Sequence, residues 1–451
     1  MVTTFQSGWL WLKEFPSKAL TKLNNTSLQI KKIANDDPRR LTHSLKVGLA
    51  LTLVSLFYYF QPLYSSFGVS AMWAVMTVVV VFEFSVGATL GKGLNRGLAT
   101  LVAGGLGIGA HHLAVLSGKT CEPILIGLFV FLQAVVSTFI RFFPTVKARY
   151  DYGMLIFILT FCLVSISGLK TREILEVAHK RLSTVAIGAS TCVVVSIFVY
   201  PVWAGEDLHK LVAKNIDKIG NYLQDFGEEC LRTIDQSDNE GGSSSSSNLV
   251  GLNSVLDSKS SVETLVNFAR WEPGHGRFMY RHPWKQYLKI ASLTRSCACR
   301  VEALKGYLNS KSQAPQDIRA TIANMSSECG KALKELAWSV ETMTKLTYPH
   351  PRAPSLKTES KNLSSLLKSD FWGEHANLVQ VIPVAAVASL LNDTVAYVEN
   401  IADAIDELST LGNFESRDLI LSEKGITEKK SSVVAPLVSV VIDLNQSTAP
   451  G

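Results

Sequence analysis

Between Val47 and Ala204 only 15 of 158 residues carry a charge. No other feature constrains the chain as much, because a soluble domain is charged at about one residue in four. A stretch this apolar folds with its outer surface in lipid or in a core far larger than 158 residues can build. The remainder of the 451 residues has a different character. Residues 1–204 carry a net charge of +10 and residues 205–451 one of −4, which gives +6 for the whole. The low charge excludes a disordered chain and an ordinary cytosolic enzyme. The small, unclustered basic excess excludes a nucleic-acid partner. Seven cysteines (Cys121, Cys162, Cys192, Cys230, Cys297, Cys299, Cys329) follow no disulfide rhythm, and Cys297 and Cys299 lack the second pair or histidine of a zinc site.

A helix needs about 20 apolar residues to cross a bilayer. Six segments come near this: Lys46–Phe60, Gly68–Leu90, Leu94–Leu116, Pro123–Phe143, Tyr152–Leu169 and Lys180–Trp203. The β-branched run after Trp73 does not argue for strands, since an open sheet edge in lipid leaves backbone groups unpaired. The expected fold class is an all-α membrane protein, six transmembrane helices followed by a cytosolic helical domain. The division is a cytosolic N-terminal arm (1–45), a six-helix pore domain (46–204), a cytosolic helical domain (205–411) with a flexible linker at 235–253, and a tail (412–451). The arm lacks the apolar core and cleavage site of a secretory leader. Its Phe5, Trp9, Trp11 and Phe15 fit either an interfacial helix or a disordered arm.

Lysine and arginine set the orientation. With the N-terminus inside, the inner side holds ten (Lys31, Lys32, Arg39, Arg40, Lys46, Lys92, Arg96, Arg141, Lys147, Arg149) and the outer side five (Lys119, Lys170, Arg172, Lys180, Arg181). Both termini are then cytosolic, and the last outer segment runs against the bias. Charges at membrane depth are costly and line water paths. Arg96 and Arg181 start spans, Lys92, Lys147 and Arg149 lie at inner span ends, and Glu83 lies inside the second. Rings of basic residues select anions, although terminal arginines also reach out to headgroups. Glu83 fits a structural pairing with a basic residue. The adjacent His111 and His112 point about 100° apart on a helix and make a poor metal pair. Gly-Gly-Leu-Gly-Ile-Gly at 104–109 lacks the strand and Lys-Ser/Thr of a phosphate loop and fits close helix packing. No catalytic constellation, cofactor motif or certain metal site is present, and the chain reads as a non-enzyme.

The residues then become recognisable. Asp37-Pro38-Arg39-Arg40, Phe82-Glu83-Phe84-Ser85-Val86-Gly87, Lys92-Gly93-Leu94-Asn95-Arg96, Lys147-Ala148-Arg149-Tyr150-Asp151, Pro201-Val202-Trp203-Ala204-Gly205, Trp271-Glu272-Pro273 and Arg281-His282-Pro283-Trp284 resemble the plant aluminium-activated malate transporter family. The likeness covers most of residues 36–310. It implies a homodimeric anion channel in lipid, carrying malate and other anions passively across a plant membrane, with no cofactor. It places the family's pore arginines on Arg96 and Arg181, four in the dimer, with Lys92, Lys147 and Arg149 as weaker vestibule candidates. Some family members respond to external aluminium, a hard cation that takes carboxylate oxygens. The external acids here are Glu122, Glu173 and Glu176, while the first outer loop reads Tyr64-Ser65-Ser66 where some relatives carry an acid. The competing reading is a proton-coupled carrier of organic acids with Glu83 as its protonatable group. The motif wording favours the plasma membrane over the vacuole.

In the cytosolic half, helical patterns run from Glu206 to about Thr233, then near 262–270, 284–309, 314–347 and 380–410. The stretch Trp271–Trp284 reads as an ordered loop, suited to packing, to docking or to an anion. Its Trp271, Glu272 and Pro273 are assigned a structural part. The patch from Val433 reads as strand-like, without an assignable role.

Overall fold

The computed structural model describes residues 24–29, 31–32, 34–56, 59, 72–118, 120–167, 174–231, 250–279, 281–309, 316–346, 352–368 and 378–416. Its elements are almost all helices. The chain divides into two compact units, Met1–Leu208 with Ser261–Trp284, and His209–Ser260 with Lys285–Gly451.

The first unit holds α1 (Pro38–Ser55), α2 (Met72–Val81), α3 (Val86–Leu116), α4 (Glu122–Ile140), the short α5 (Pro144–Arg149), α6 (Asp151–Ser167) and α7 (Ile174–Phe198). It also contains the first turn of α8 (Ala204–Leu231) and most of α9 (Lys259–Ala269). Helix α3 packs on α6 and α7, α2 packs on α7, and α1 closes against both α2 and α7. One core joins Ala50 and Val54 of α1 to Val78 of α2 and to Cys192 and Val195 of α7. A second joins Ala103 and Ala110 of α3 to Phe161 of α6.

Three described helices are long and apolar enough to cross a membrane: Val86–Leu116, Glu122–Ile140 and Leu175–Phe198. Met72–Val81 and Asp151–Ser167 are shorter and apolar. On α4, Ile124 (71%), Phe131 (64%) and Phe139 (65%) are exposed. A helix whose largest apolar side chains point outward meets lipid on that face.

The second and third spans divide differently from the pattern expected of them. The helix breaks at 82–85, not at 91–93, and α3 then runs 31 residues without interruption. The break is built by hydroxyls. Ser85 caps α3, accepting from the Ala88 amide at 3.3 Å. Thr89 accepts from the Glu83 amide at 3.0 Å and donates to the Ser85 carbonyl at 3.0 Å. These side chains satisfy backbone groups that a continuing helix would have paired. Arg96 therefore lies ten residues inside α3, about 15 Å along its axis, rather than at a span start.

The second unit contains the rest of α8 with α10 (Trp284–Asn309), α11 (Gln316–Thr342), α12 (Ala353–Lys368) and α13 (Leu378–Leu411). Helices α8 and α11 meet backbone to backbone: a Cβ on Gly220 would lie 2.9 Å from the Gly330 carbonyl, and one on Gly330 2.7 Å from the Gly220 carbonyl. Gln286 of α10 donates to the Ala404 carbonyl of α13 at 2.9 Å. Met343 turns α11 off through a left-handed conformation (φ 53°). The strands β1 (Thr344–Lys345) and β2 (Glu415–Ser416) then pair in parallel. Of the expected linker, residues 235–249 lie outside the described residues and 250–253 belong to a helical stretch. Most of the N-terminal arm and the tail beyond 416 also lie outside, including the strand-like patch. All seven cysteines are free thiols.

Gly188 of α7 marks the tightest crossing with α2, where a Cβ would sit 2.7 Å from the Ala74 carbonyl; Gly97 of α3 has nothing within 4 Å. Gly188→Ala is expected to destabilise the protein by about 1–3 kcal/mol. Gly97→Ala should be neutral or stabilising, by up to about 1 kcal/mol. Thermal unfolding of the detergent-solubilised variants checks both signs.

Candidate anion-binding site

Arg96 and Arg181 project from neighbouring helices, α3 and α7, and both are buried, at 4% and 8% exposure. The Arg96 Nη1–H donates to the Tyr152 hydroxyl at 2.9 Å, while its Nε is buried without a partner. The Arg181 guanidinium lies over the Trp73 indole, 3.8 Å from the ring centroid. The helices that carry the two arginines pack against one another. Neither arginine makes an ion pair among the described residues. A buried guanidinium without a carboxylate is expensive, and an aromatic face or a hydroxyl offsets only part of that cost without cancelling the charge.

Lys92 stands one turn before Arg96 and lies 5.7 Å from the Tyr152 ring centroid. It is ion-paired with Glu83, so the acid inside the second predicted span has the structural pairing anticipated for it. Lys147 and Arg149 are exposed on α5. Arg149 contributes its backbone carbonyl, which accepts from the Asn95 side chain at 3.0 Å. The site thus brings together Arg96, Arg181 and Lys92, while the guanidinium of Arg149 and the ammonium of Lys147 stay at the surface.

Sequence reasoning counted Lys46 only as an inner basic residue. It is 2% exposed and makes no ion pair among the described residues. The signal was its spacing, since Lys46, Ala50 and Val54 repeat every four residues and form the buried face of α1. Trp73 and Tyr152 were likewise read as span residues, not as partners of the arginines.

Among the acids expected on the outer side, Glu176 pairs with Lys180 at 2.5 Å, Glu122 opens α4, and Glu173 lies outside the described residues. Among the described residues no three His, Cys, Asp or Glu side chains gather as a metal site.

The family-like motifs, far apart in the chain, meet at one junction in the first unit. The Val86 amide donates to the Val202 carbonyl at 2.9 Å, setting the start of α3 beside the start of α8. The Glu272 carboxylate takes the Ala204 amide at 2.6 Å and the Gly205 amide at 3.0 Å. It lies against Gly87, where a Cβ would meet Glu272 Cγ at 2.8 Å, and Trp271 fills the space beside Gly91. Pro273 offers its carbonyl to His275 Nδ1 at 2.9 Å, and His275 stacks on Trp203, 3.8 Å apart and 10° from parallel. Arg39 donates to Asp207 at 2.8 Å and ties in the start of α1. A carboxylate at helix N-termini meets unpaired amides and the positive end of the dipole. Burial nonetheless pushes the Glu272 carboxyl above the usual carboxylate range, opposed by the Gly205, Ala204 and Gly87 amides.

A family model described as aluminium activated malate transporter matches residues 31–372. The chain belongs to this family. It is 54% identical over 391 residues to aluminum-activated malate transporter 2 of Arabidopsis thaliana, covering 86% of this chain and 78% of the relative. To aluminum-activated malate transporter 1 of Triticum aestivum it is 44% identical over 420 residues, 89% of this chain and 90% of the relative. Membership in the malate transporter family makes the chain a membrane transporter, not an enzyme, in keeping with its three apolar helices.

Two variants test the junction. Glu272→Ala leaves the Ala204 and Gly205 amides unpaired and should lower stability by about 1–3 kcal/mol. Glu272→Gln keeps an acceptor. Because the folded carboxyl titrates above its unfolded value of 4.5, the folded state holds the proton more tightly there, and stability falls as pH rises through that window. Glu272→Gln should flatten this part of the wild-type stability–pH curve in thermal melts.

Proposed function

We propose that the protein is an anion channel through which malate, and other organic and inorganic anions, pass down their electrochemical gradient. The observation that carries the reading is the pair of buried guanidinium groups, Arg96 and Arg181, on adjacent helices with no carboxylate among the described residues to neutralise them. Malate is a dianion at neutral pH and does not enter hydrocarbon unaided. Fixed guanidinium groups replace part of its hydration and accept a carboxylate side-on through two N–H bonds. Passage requires that binding stay weak enough for release. The surface cations Lys147 and Arg149 serve the approach, by raising the local anion concentration. The working unit is a homodimer of six-span subunits in the plasma membrane, with the helical second unit and both termini in the cytosol.

Whole-cell recording tests the site. Arg96→Gln or Arg181→Gln should cut malate current at least tenfold at unchanged surface expression, and wild-type currents in both would overturn the reading. Reversal potential under imposed malate and proton gradients separates channel from coupled carrier. A channel follows the malate gradient and ignores pH, whereas proton coupling through Glu83 shifts the potential with pH. The pairing of Glu83 with Lys92 favours the channel, because a proton carrier needs that carboxyl free to load.

Activation by external aluminium belongs to the same proposal, with Glu122, Glu173 and Glu176 as oxygen donors. Adding aluminium to the bath should raise malate current several-fold in wild type and leave the variant with all three changed to glutamine at its basal level. No rise in wild type removes this part.

A further inference from the structure

We propose that Trp73 and Tyr152 set the anion selectivity of the site, by presenting the two guanidinium groups so that they discriminate a dicarboxylate from a small spherical anion. The inference rests on the reading of Arg96 and Arg181 as the anion site. A guanidinium has two edges suited to a carboxylate, the pair of Nη atoms and the Nε–Nη2 side. At Arg96, Tyr152 takes one N–H of Nη1, a nitrogen of the first edge, at 2.9 Å. Nε is buried with no partner, and Nη2 makes no hydrogen bond among the described residues. What remains is one intact side-on fork, already out of water and unsatisfied, which a carboxylate oxygen pair fits and a single halide fills poorly.

Arg181 is prepared in a different way. The indole of Trp73 covers one face of its guanidinium at 3.8 Å. Stacking holds the plane by its face and leaves the in-plane N–H groups open. It also takes no charge away, as a carboxylate partner would. The two arginines thus offer two oriented forks on neighbouring helices, one for each end of a short dicarboxylate. Two freely turning arginines would supply positive potential alone, and potential alone does not distinguish malate from chloride beyond their charge.

The test is the malate-to-chloride permeability ratio, measured by reversal potential in cells expressing each variant at verified surface density. Tyr152→Phe keeps the ring and removes the hydroxyl; the ratio should fall about tenfold, the weight of one hydrogen bond to a charged group. Trp73→Leu should lower the ratio in the same direction, and Trp73→Phe, which keeps a π face, should hold it within about twofold. Wild-type ratios in both Tyr152→Phe and Trp73→Leu overturn the proposal, and a change in one alone overturns it for the other residue. If Trp73→Leu does not reach the membrane, Tyr152→Phe decides. Arg96→Gln and Arg181→Gln run alongside. Loss of malate current in these with unchanged ratios in the aromatic variants defeats only this inference. Full malate current in the arginine variants defeats the anion-site reading beneath it.

Discussion

The carboxylate of Glu272 is the interaction on which the arrangement of the first unit depends. It comes from a segment some 70 residues beyond α7 in the chain, and it satisfies the opening amides of α8 while lying against the start of α3. Without a cap those helix ends would leave several amides unpaired in a setting almost free of water. The segment Ser261–Trp284 is therefore part of the first unit's architecture. Small residues at Gly87, Gly91 and Gly205 are what let the acid and its flanking tryptophans, Trp271 and Trp284, approach so closely.

The same unit treats its charges in two ways. Lys92 is neutralised by Glu83, and Arg141 is held by a two-point bond from Asp151, at 2.7 and 3.1 Å. Arg96, Arg181 and Lys46 have no carboxylate partner among the described residues, yet they are the more deeply buried. A protein selected only to hold its helices together would reverse that assignment, pairing the buried cations and leaving the outer ones to water. The pattern is the physical basis for the proposal of an anion site.

Much of this was legible in the sequence, and the reasons for the failures are specific. The helical character of this region followed from low charge over long apolar stretches, a property of composition that survives local detail, and three of the described helices are long and apolar enough to cross a membrane. The break at 82–85 did not follow, because it is made by Ser85 and Thr89 hydroxyls inside a run that reads as continuous. Arg96 was read as the start of a span, whereas it lies ten residues inside α3, and only the position of that break tells the two apart. α12 escaped notice because its few leucines stand among serines and charges, so the segment reads as polar overall although the apolar residues share one face. The aromatic partners of the arginines were invisible for a simpler reason. Trp73 and Arg181 are separated by more than a hundred residues, and nothing local in either sequence anticipates a ring meeting a guanidinium.

The uncompensated cations of the first unit carry a consequence for handling the molecule. A buried positive cluster draws anions from whatever solution surrounds it, and any species that binds the folded state more than the unfolded one stabilises it in proportion to the logarithm of its concentration. On the proposed reading of the arginine site, chloride, sulfate and carboxylate buffers are not spectators during purification. The choice of salt is then a structural variable, and stability measured in one anion is a property of the protein together with that anion.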